Sequence, residues 1–204
     1  KDVEDREGRR SQDLEFLAGE IDRIVKIVNG MRTLAKVKAS RVPLDVREPI
    51  MDTLVTLRDR FFKEGVRLEG SGLDRAAGDS SILQILADKD ELVQIFSNLL
   101  RNALYAVKCT LNNPAKTDGA VRISVLRTSE RVEIRIEDNG CGIEPADLSR
   151  IFDPDFTTKP LEEGTGMGLS IARRLTRAFE GDLYVERSTP GAGTVFLAWF
   201  PMLK

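Results

Sequence analysis

The chain has 204 residues, with 31 Lys+Arg against 33 Asp+Glu and a formal net charge of −2, so nothing in its overall charge draws it to nucleic acid or to an anionic membrane. It contains no histidine, which excludes Ser-His-Asp and Cys-His nucleophilic sites and every histidine-containing zinc site. Two cysteines, Cys109 and Cys141, can supply neither a four-thiolate metal site nor a disulfide framework, and no apolar run approaches the roughly 18 residues needed to span a bilayer, so a cytoplasmic location is expected.

Residues 1–10 are almost all charged and read as a solvated lead-in or a loop between helices. From Ser11 the pattern changes: Leu14, Leu17, Ile21, Ile24, Val28, Met31 and Ala35 recur at spacings of three and four, a heptad seam. Ala18, Val25, Ile27 and Leu34 widen it into a stripe that suits a helical bundle, and Pro43 closes the helical region. Nothing nearby in sequence supplies a matching partner helix, so the seam is expected to be one side of a dimer or bundle. Two units follow from this: a helical segment over 1–42 and a mixed domain over 43–204.

In the second unit, Asp45–Phe62 predicts a helix with Asp45 as its N-cap, or a later start set by Pro49. Val66–Glu69 reads as a short strand, Gly70–Ser80 as a loop and Ser81–Ala87 as a strand. Asp88–Thr110 predicts a long helix with apolar positions 92, 95, 96, 99, 100, 103 and 107, stopped by Asn112-Asn113-Pro114. Val121–Thr128 and Val132–Glu137 alternate and form a hairpin. Glu144–Ile151 predicts a short helix, Pro154–Gly164 an irregular segment, and Met167–Phe179 a helix ended by Gly181. Asp182–Arg187 and Thr194–Phe200 close the chain as a second hairpin. Strands and helices mix without strict alternation, which argues an α+β layered domain.

Three segments carry chemistry. In the long helix, Gln94, Asn98 and Asn102 are four apart and share one face amid apolar neighbours. Asparagine is a poor residue for a helix interior, because its amide competes for backbone hydrogen bonds, so a line of amides bordering apolar surface favours a ligand face. Amide carbonyls are hard donors suited to Mg²⁺ beside phosphate. Directly after a strand, Glu137-Asp138-Asn139-Gly140-Cys141-Gly142-Ile143 places an acceptor, Asp138, ahead of two glycines. By itself this pattern is also that of many tight turns. Gly164-Thr165-Gly166-Met167-Gly168-Leu169-Ser170 opens a helix, where unbonded N–H groups favour phosphate, and the preceding loop carries Lys159. No Gly-Lys-Ser/Thr follows, so it is not a P-loop.

In order and spacing these segments resemble the N, G1, F and G2 boxes of the sensor histidine kinase ATP-binding domain, within the superfamily that includes gyrase, Hsp90 and MutL. The matching residues are Asn98–Ala103, Asp138–Ile143, Ile151–Pro154 with Phe156–Lys159, and Gly164–Leu169, completed by Gly191–Phe196. The resemblance covers about residues 45–201. It implies a two-layer α/β sandwich of the Bergerat type preceded by a long N-terminal helix, with ATP and Mg²⁺ as ligands. Asn102 would ligate Mg²⁺, with Asn98 beside the phosphates and Lys159, Lys108 and Arg101 adding positive charge. Asp138 would accept from the adenine amino group. Gly140 and Gly142 would let adenine lie against backbone, with Tyr105, Ile143 and Thr194 also at the nucleotide. Gly164, Thr165, Gly166, Met167, Gly168 and Leu169 would wrap the phosphates.

Three departures qualify the resemblance. In the ATPase branches a glutamate stands at the position of Asn98 and activates water; an amide carries no basic group, which favours phosphoryl transfer over hydrolysis. Asp155 stands where a second aromatic is usual. No histidine is present to accept phosphate, and the 14–35 seam resembles the second helix of the dimerisation hairpin, so the first helix, with its histidine, is expected upstream. The expected function is the ATP-binding catalytic core of a two-component sensor histidine kinase that donates to a histidine absent from this chain. Its partners would be a response-regulator receiver domain and a second copy through the N-terminal helix, with no nucleic acid. The whole protein would be cytoplasmic or the cytosolic part of a membrane sensor. The alternatives are an ATPase or clamp, a serine-kinase switch of anti-sigma type, and a non-catalytic scaffold.

Overall fold

Alternating apolar residues and one long apolar helical stripe meet to form the core. The computed structural model describes residues 41–73, 83–111, 118–160 and 164–203. The expected N-terminal helix with its 14–35 seam, most of the Gly70–Ser80 loop and the Asn112–Pro114 stop lie outside the described residues. The elements run β1 (Val42–Asp45), α1 (Arg47–Lys63), β2 (Val66–Ser71), β3 (Gln84–Ala87), α2 (Lys89–Leu111), β4 (Gly119–Arg127), β5 (Arg131–Asp138), α3 (Gly168–Ala178), β6 (Asp182–Thr189) and β7 (Gly193–Pro201). Five strands form one sheet in the order β2-β4-β5-β7-β6, with β2 parallel to β4 and the other neighbours antiparallel. β1 and β3 pair separately as a short antiparallel ribbon.

Period two sorts the sheet into an inner and an outer face. Val121, Ile123, Val132, Ile134, Ile136, Phe196, Ala198 and Phe200 are buried in one core with the α2 stripe of Leu92, Ile95, Phe96, Leu99, Leu100, Ala103 and Val107. The alternate residues carry a ladder of charge: Glu69–Arg122 at 3.0 Å, Arg122–Glu137 at 3.7 Å, Glu137 with Arg187, and Arg135 at 3.0 Å from both Glu133 and Glu186. One face against helices and one face carrying ion pairs is the two-layer arrangement that the resemblance implies. On the same parity as Ile134 and Ile136, Asp138 is also inward, at the last position of β5 and opposite Thr194 of β7.

Helix starts follow side-chain chemistry. Asp88 caps α2, its Oδ1 accepting the N–H groups of Asp90 and Glu91 at 3.0 and 3.1 Å. The expected N-cap Asp45 is instead the last residue of β1, and the capping position of α1 is Val46. Asp45 still serves the helix start, accepting the backbone N–H of Arg47 at 3.0 Å and gripping its guanidinium with both oxygens.

Two local expectations are corrected. Residues 144–151 form a chain of turns, not a helix: Asp147 N–H bonds Glu144 and Arg150 N–H bonds Asp147, both three residues back. Ile151 is the one buried residue in this stretch, too little apolar surface to hold a helix so short. At the end of α3 the left-handed residue is Glu180, at φ 63°, not Gly181. Gly181 is needed for closeness, since a Cβ there would lie 1.9 Å from the Trp199 carbonyl oxygen.

Asp182 ties α3 to β6. Partial burial pulls its carboxyl upward, but hydrogen bonds from Arg177, the Leu183 N–H and Arg173 outweigh that and hold it below its ordinary value of 3.8. A carboxyl depressed by folding stabilises fully above its unfolded pKa, and that stability is lost as pH falls through the folded one. Asp182→Asn is therefore expected to cost about 0.5–1 kcal/mol near neutrality and to lose that penalty below about pH 4. Urea melts of the two proteins across pH 3–7 check this; a constant gap would refute it.

Candidate active site

The inward parity of β5 and the amide face of α2 open onto one cavity of about 860 Å³, within the size range of small-molecule sites. Its floor holds Asp138, 4% exposed, whose Oδ1 accepts the Gly140 N–H at 2.9 Å. Opposite in register, Thr194 pairs its hydroxyl with Ser188 at 2.9 Å, and Ser188 accepts the Ile143 N–H at 2.9 Å. The acidic floor is thus knitted to the loop that follows β5 and to the β6–β7 hairpin.

Along one wall α2 presents Gln94, Asn98, Arg101, Asn102, Tyr105 and Lys108, the first, second and fourth being the amides read from sequence. Facing them is the start of α3. Its capping residue, Met167, makes no side-chain cap and no acid lies in the first turn, so the helix leaves its positive end open. Asn98 points at this end, with the place of a Gly168 Cβ 3.8 Å from its Cγ. The Asn98 Nδ2 is buried and has no hydrogen-bond partner among the described residues. A buried donor left unsatisfied beside an uncapped helix N-terminus suits an anion.

The third wall is the loop that carries Lys159. Its ammonium donates to Asn102 Oδ1 at 2.7 Å and lies 4.3 Å from the centre of the Tyr105 ring. A cation already sits on the oxygen expected to ligate metal, so the donor chemistry of Asn102 fits a hard cation. Among the described residues no cluster of three or more acidic or thiol side chains could chelate a metal alone. A Mg²⁺ here would therefore share its coordination with phosphate oxygens, its usual habit.

Every residue expected at the nucleotide lines this cavity except Gly140. Gly140 acts behind the wall: a Cβ would lie 2.4 Å from the Ala106 carbonyl carbon of α2, and the next N–H, of Cys141, bonds the Ala106 oxygen at 3.0 Å. Gly142, at φ 71°, would drive a Cβ to 2.2 Å from the Thr189 oxygen. The backbone approaches these glycines permit are thus to protein, locking the loop to α2 and to the β6–β7 turn. Asp155 has a similar explanation. It adopts a left-handed φ of 63°, which Asp tolerates better than an aromatic, and a Cβ on Gly166 would meet its backbone carbon at 2.4 Å. Asp155 therefore docks the Lys159 loop onto the glycine turn.

Sequence reasoning missed Arg60, Glu144, Asp147, Ile171 and Phe196, all of which line the cavity. Phe196 was legible as an inward β7 residue one step beyond Thr194. Arg60 had no signal, because only the docking of α1 beside α2 brings it there. It lies near Arg101, whose guanidinium is pushed below its ordinary value by burial and then by the like charge of Arg60.

The family of histidine kinase-, DNA gyrase B- and HSP90-like ATPases matches residues 87–204. Among curated proteins, the signal transduction histidine-protein kinase AtoS of Escherichia coli K12 is 31% identical over 191 residues, covering 93% of this chain and 29% of AtoS. The sensor histidine kinase ZraS of Salmonella typhimurium is 30% identical over 199 residues, covering 96% of this chain and 39% of ZraS. The chain thus spans well under half the length of these relatives. Among solved structures, the catalytic domain of the histidine kinase ThkA superposes with a TM-score of 0.64 at 24% identity, over 80% of this chain and 98% of that one. The five-stranded sheet under helices is that fold. No helix among the described residues is long and apolar enough to cross a membrane.

Proposed function

The chain belongs to the histidine kinase-, DNA gyrase B- and HSP90-like ATPase family, and from that membership we propose that residues 43–204 are the ATP-binding catalytic core of a two-component sensor histidine kinase. One observation carries the reading: a buried carboxylate, Asp138, and an amide face, Asn98 and Asn102, meet an uncapped helix N-terminus across a single cavity. Asp138 accepts from the adenine amino group. The N–H groups at 168–170, the Asn98 amide and Lys159 hold the phosphates, while Thr165, Gly166 and Met167 cover them. Asn102 would hold Mg²⁺, which would neutralise phosphate charge, and Lys159, which donates to Asn102 Oδ1 here, would then serve a phosphate.

Catalysis here is positioning and electrostatics. Asn98 stands beside the phosphates but cannot take a proton from water, so transfer to a protein nucleophile is favoured over hydrolysis. The acceptor is a histidine outside these 204 residues, since the chain has none. The 1–42 segment pairs with a second copy, and a response-regulator receiver domain takes the phosphate onward.

Calorimetry with ATP and Mg²⁺, then labelling of a histidine-bearing dimerisation hairpin added in trans, tests the proposal. Binding without appreciable turnover, and label on histidine, are expected. Steady hydrolysis with no labelled histidine would favour the ATPase or clamp instead. Asn102→Asp is expected to move the Mg²⁺ dependence of ATP binding several-fold, because a carboxylate adds charge to the metal site and repels phosphate. An unchanged metal titration would remove Asn102 from the metal.

A further inference from the structure

The cavity carries a cation that none of the recognised boxes contains. Arg60 is in the last turn of α1 and lines the cavity with Arg101 of α2. Glu64, the residue that caps the end of α1, is engaged by Lys108 at 3.0 Å. Among the described residues neither Arg60 nor Arg101 has an ion-pair partner. The cavity's acids, Asp138, Glu144 and Asp147, belong to the end of β5 and the turns after it. Arg60 and Arg101 line the same cavity, and the Arg101 guanidinium is held below its ordinary value first by burial and then by the like charge of Arg60. Two guanidiniums lining one cavity suit a group with several anionic oxygens, which phosphate presents and a carboxylate presents less fully.

We infer that Arg60 pairs with Arg101 to read the terminal phosphate of a nucleoside triphosphate, making Arg60 a specificity residue that favours ATP over ADP. This rests on the nucleotide-site reading. It predicts a ligand preference that α1, through its packing on α2, imposes on a site otherwise built from α2, β5 and α3. Arg60 also lies where a cation complements the helix dipole, but Lys63 does the same, and a dipole role would act on stability without regard to phosphate number.

The test is calorimetry of the chain with ATP and with ADP, both with Mg²⁺, for the wild type, Arg60→Met and Arg60→Lys. Arg60→Met is expected to weaken ATP about tenfold, near 1.4 kcal/mol, and ADP less than about twofold, with Arg60→Lys between. Equal weakening of the two nucleotides, or no change in either, overturns the inference while leaving the nucleotide site standing. If the wild type binds neither nucleotide, the site reading itself falls. Arg60 is exposed, so melting temperatures should agree across the variants. A fall in melting temperature with an unchanged ATP-to-ADP ratio would assign Arg60 to the helix end instead.

Discussion

Asp138→Asn is expected to weaken ATP binding on the order of 100-fold while leaving the fold intact, because a charged hydrogen bond in a buried site is worth about 1.5–3 kcal/mol and a mismatched donor adds to its loss. A carboxylate offers acceptors at both oxygens. The Gly140 N–H uses one site on Oδ1 at 2.9 Å, and asparagine can keep that bond with its own carbonyl. What asparagine cannot keep is the second acceptor: its NH₂ group would face the adenine amino group, donor against donor. The isosteric change separates recognition from loop structure, which Asp138→Ala would confound by also removing the Gly140 contact. Calorimetry should show the affinity loss, and a thermal melt should show little movement. Unchanged affinity would mean that adenine is read elsewhere.

Much of the lining of this cavity is legible in the sequence because the pattern that places it is local and periodic. Asn98 and Asn102 fall four apart on a helix whose remaining face is apolar, so their common direction follows from helical geometry alone. Asp138 follows Ile134 and Ile136 at period two, so a carboxylate on the core parity announces itself at the strand's end. The misses have physical causes. Ser81–Ala87 reads as a strand and contains β3, but its partner β1 was invisible because it is four residues long and contains Pro43. Residues 144–151 contain helix-forming types but bury too little, and turns win. Gly140 and Gly142 were read as room for a ligand, yet the atoms they admit are the Ala106 and Thr189 backbones. Such approaches depend on tertiary contacts that no local pattern encodes. The same holds for Arg60, which reaches the cavity only because α1 lies on α2.

That dependence makes the seating of α1 the second quantity to perturb, and Asp45 is where it is set. Asp45→Ala is expected to destabilise the domain by about 3 kcal/mol, toward the lower end for a broken buried ion pair. The Asp45 and Arg47 side chains are 3% and 7% exposed and 2.6 Å apart, and the carboxylate also accepts the first helical N–H of α1. Removing it leaves a guanidinium in a low-dielectric site with less to neutralise it, and an open donor at the helix start. Replacing both residues, Asp45→Ala with Arg47→Met, should recover much of the loss, since an apolar side chain of similar length carries no charge to strand. Neither residue lines the nucleotide cavity, so the folded fraction of Asp45→Ala should keep its affinity for ADP. Urea unfolding of the single and double variants checks the energies. If the double variant is as unstable as the single, the cost lies in lost cap geometry rather than in a buried charge that has lost one partner, and the electrostatic account of how α1 is held fails.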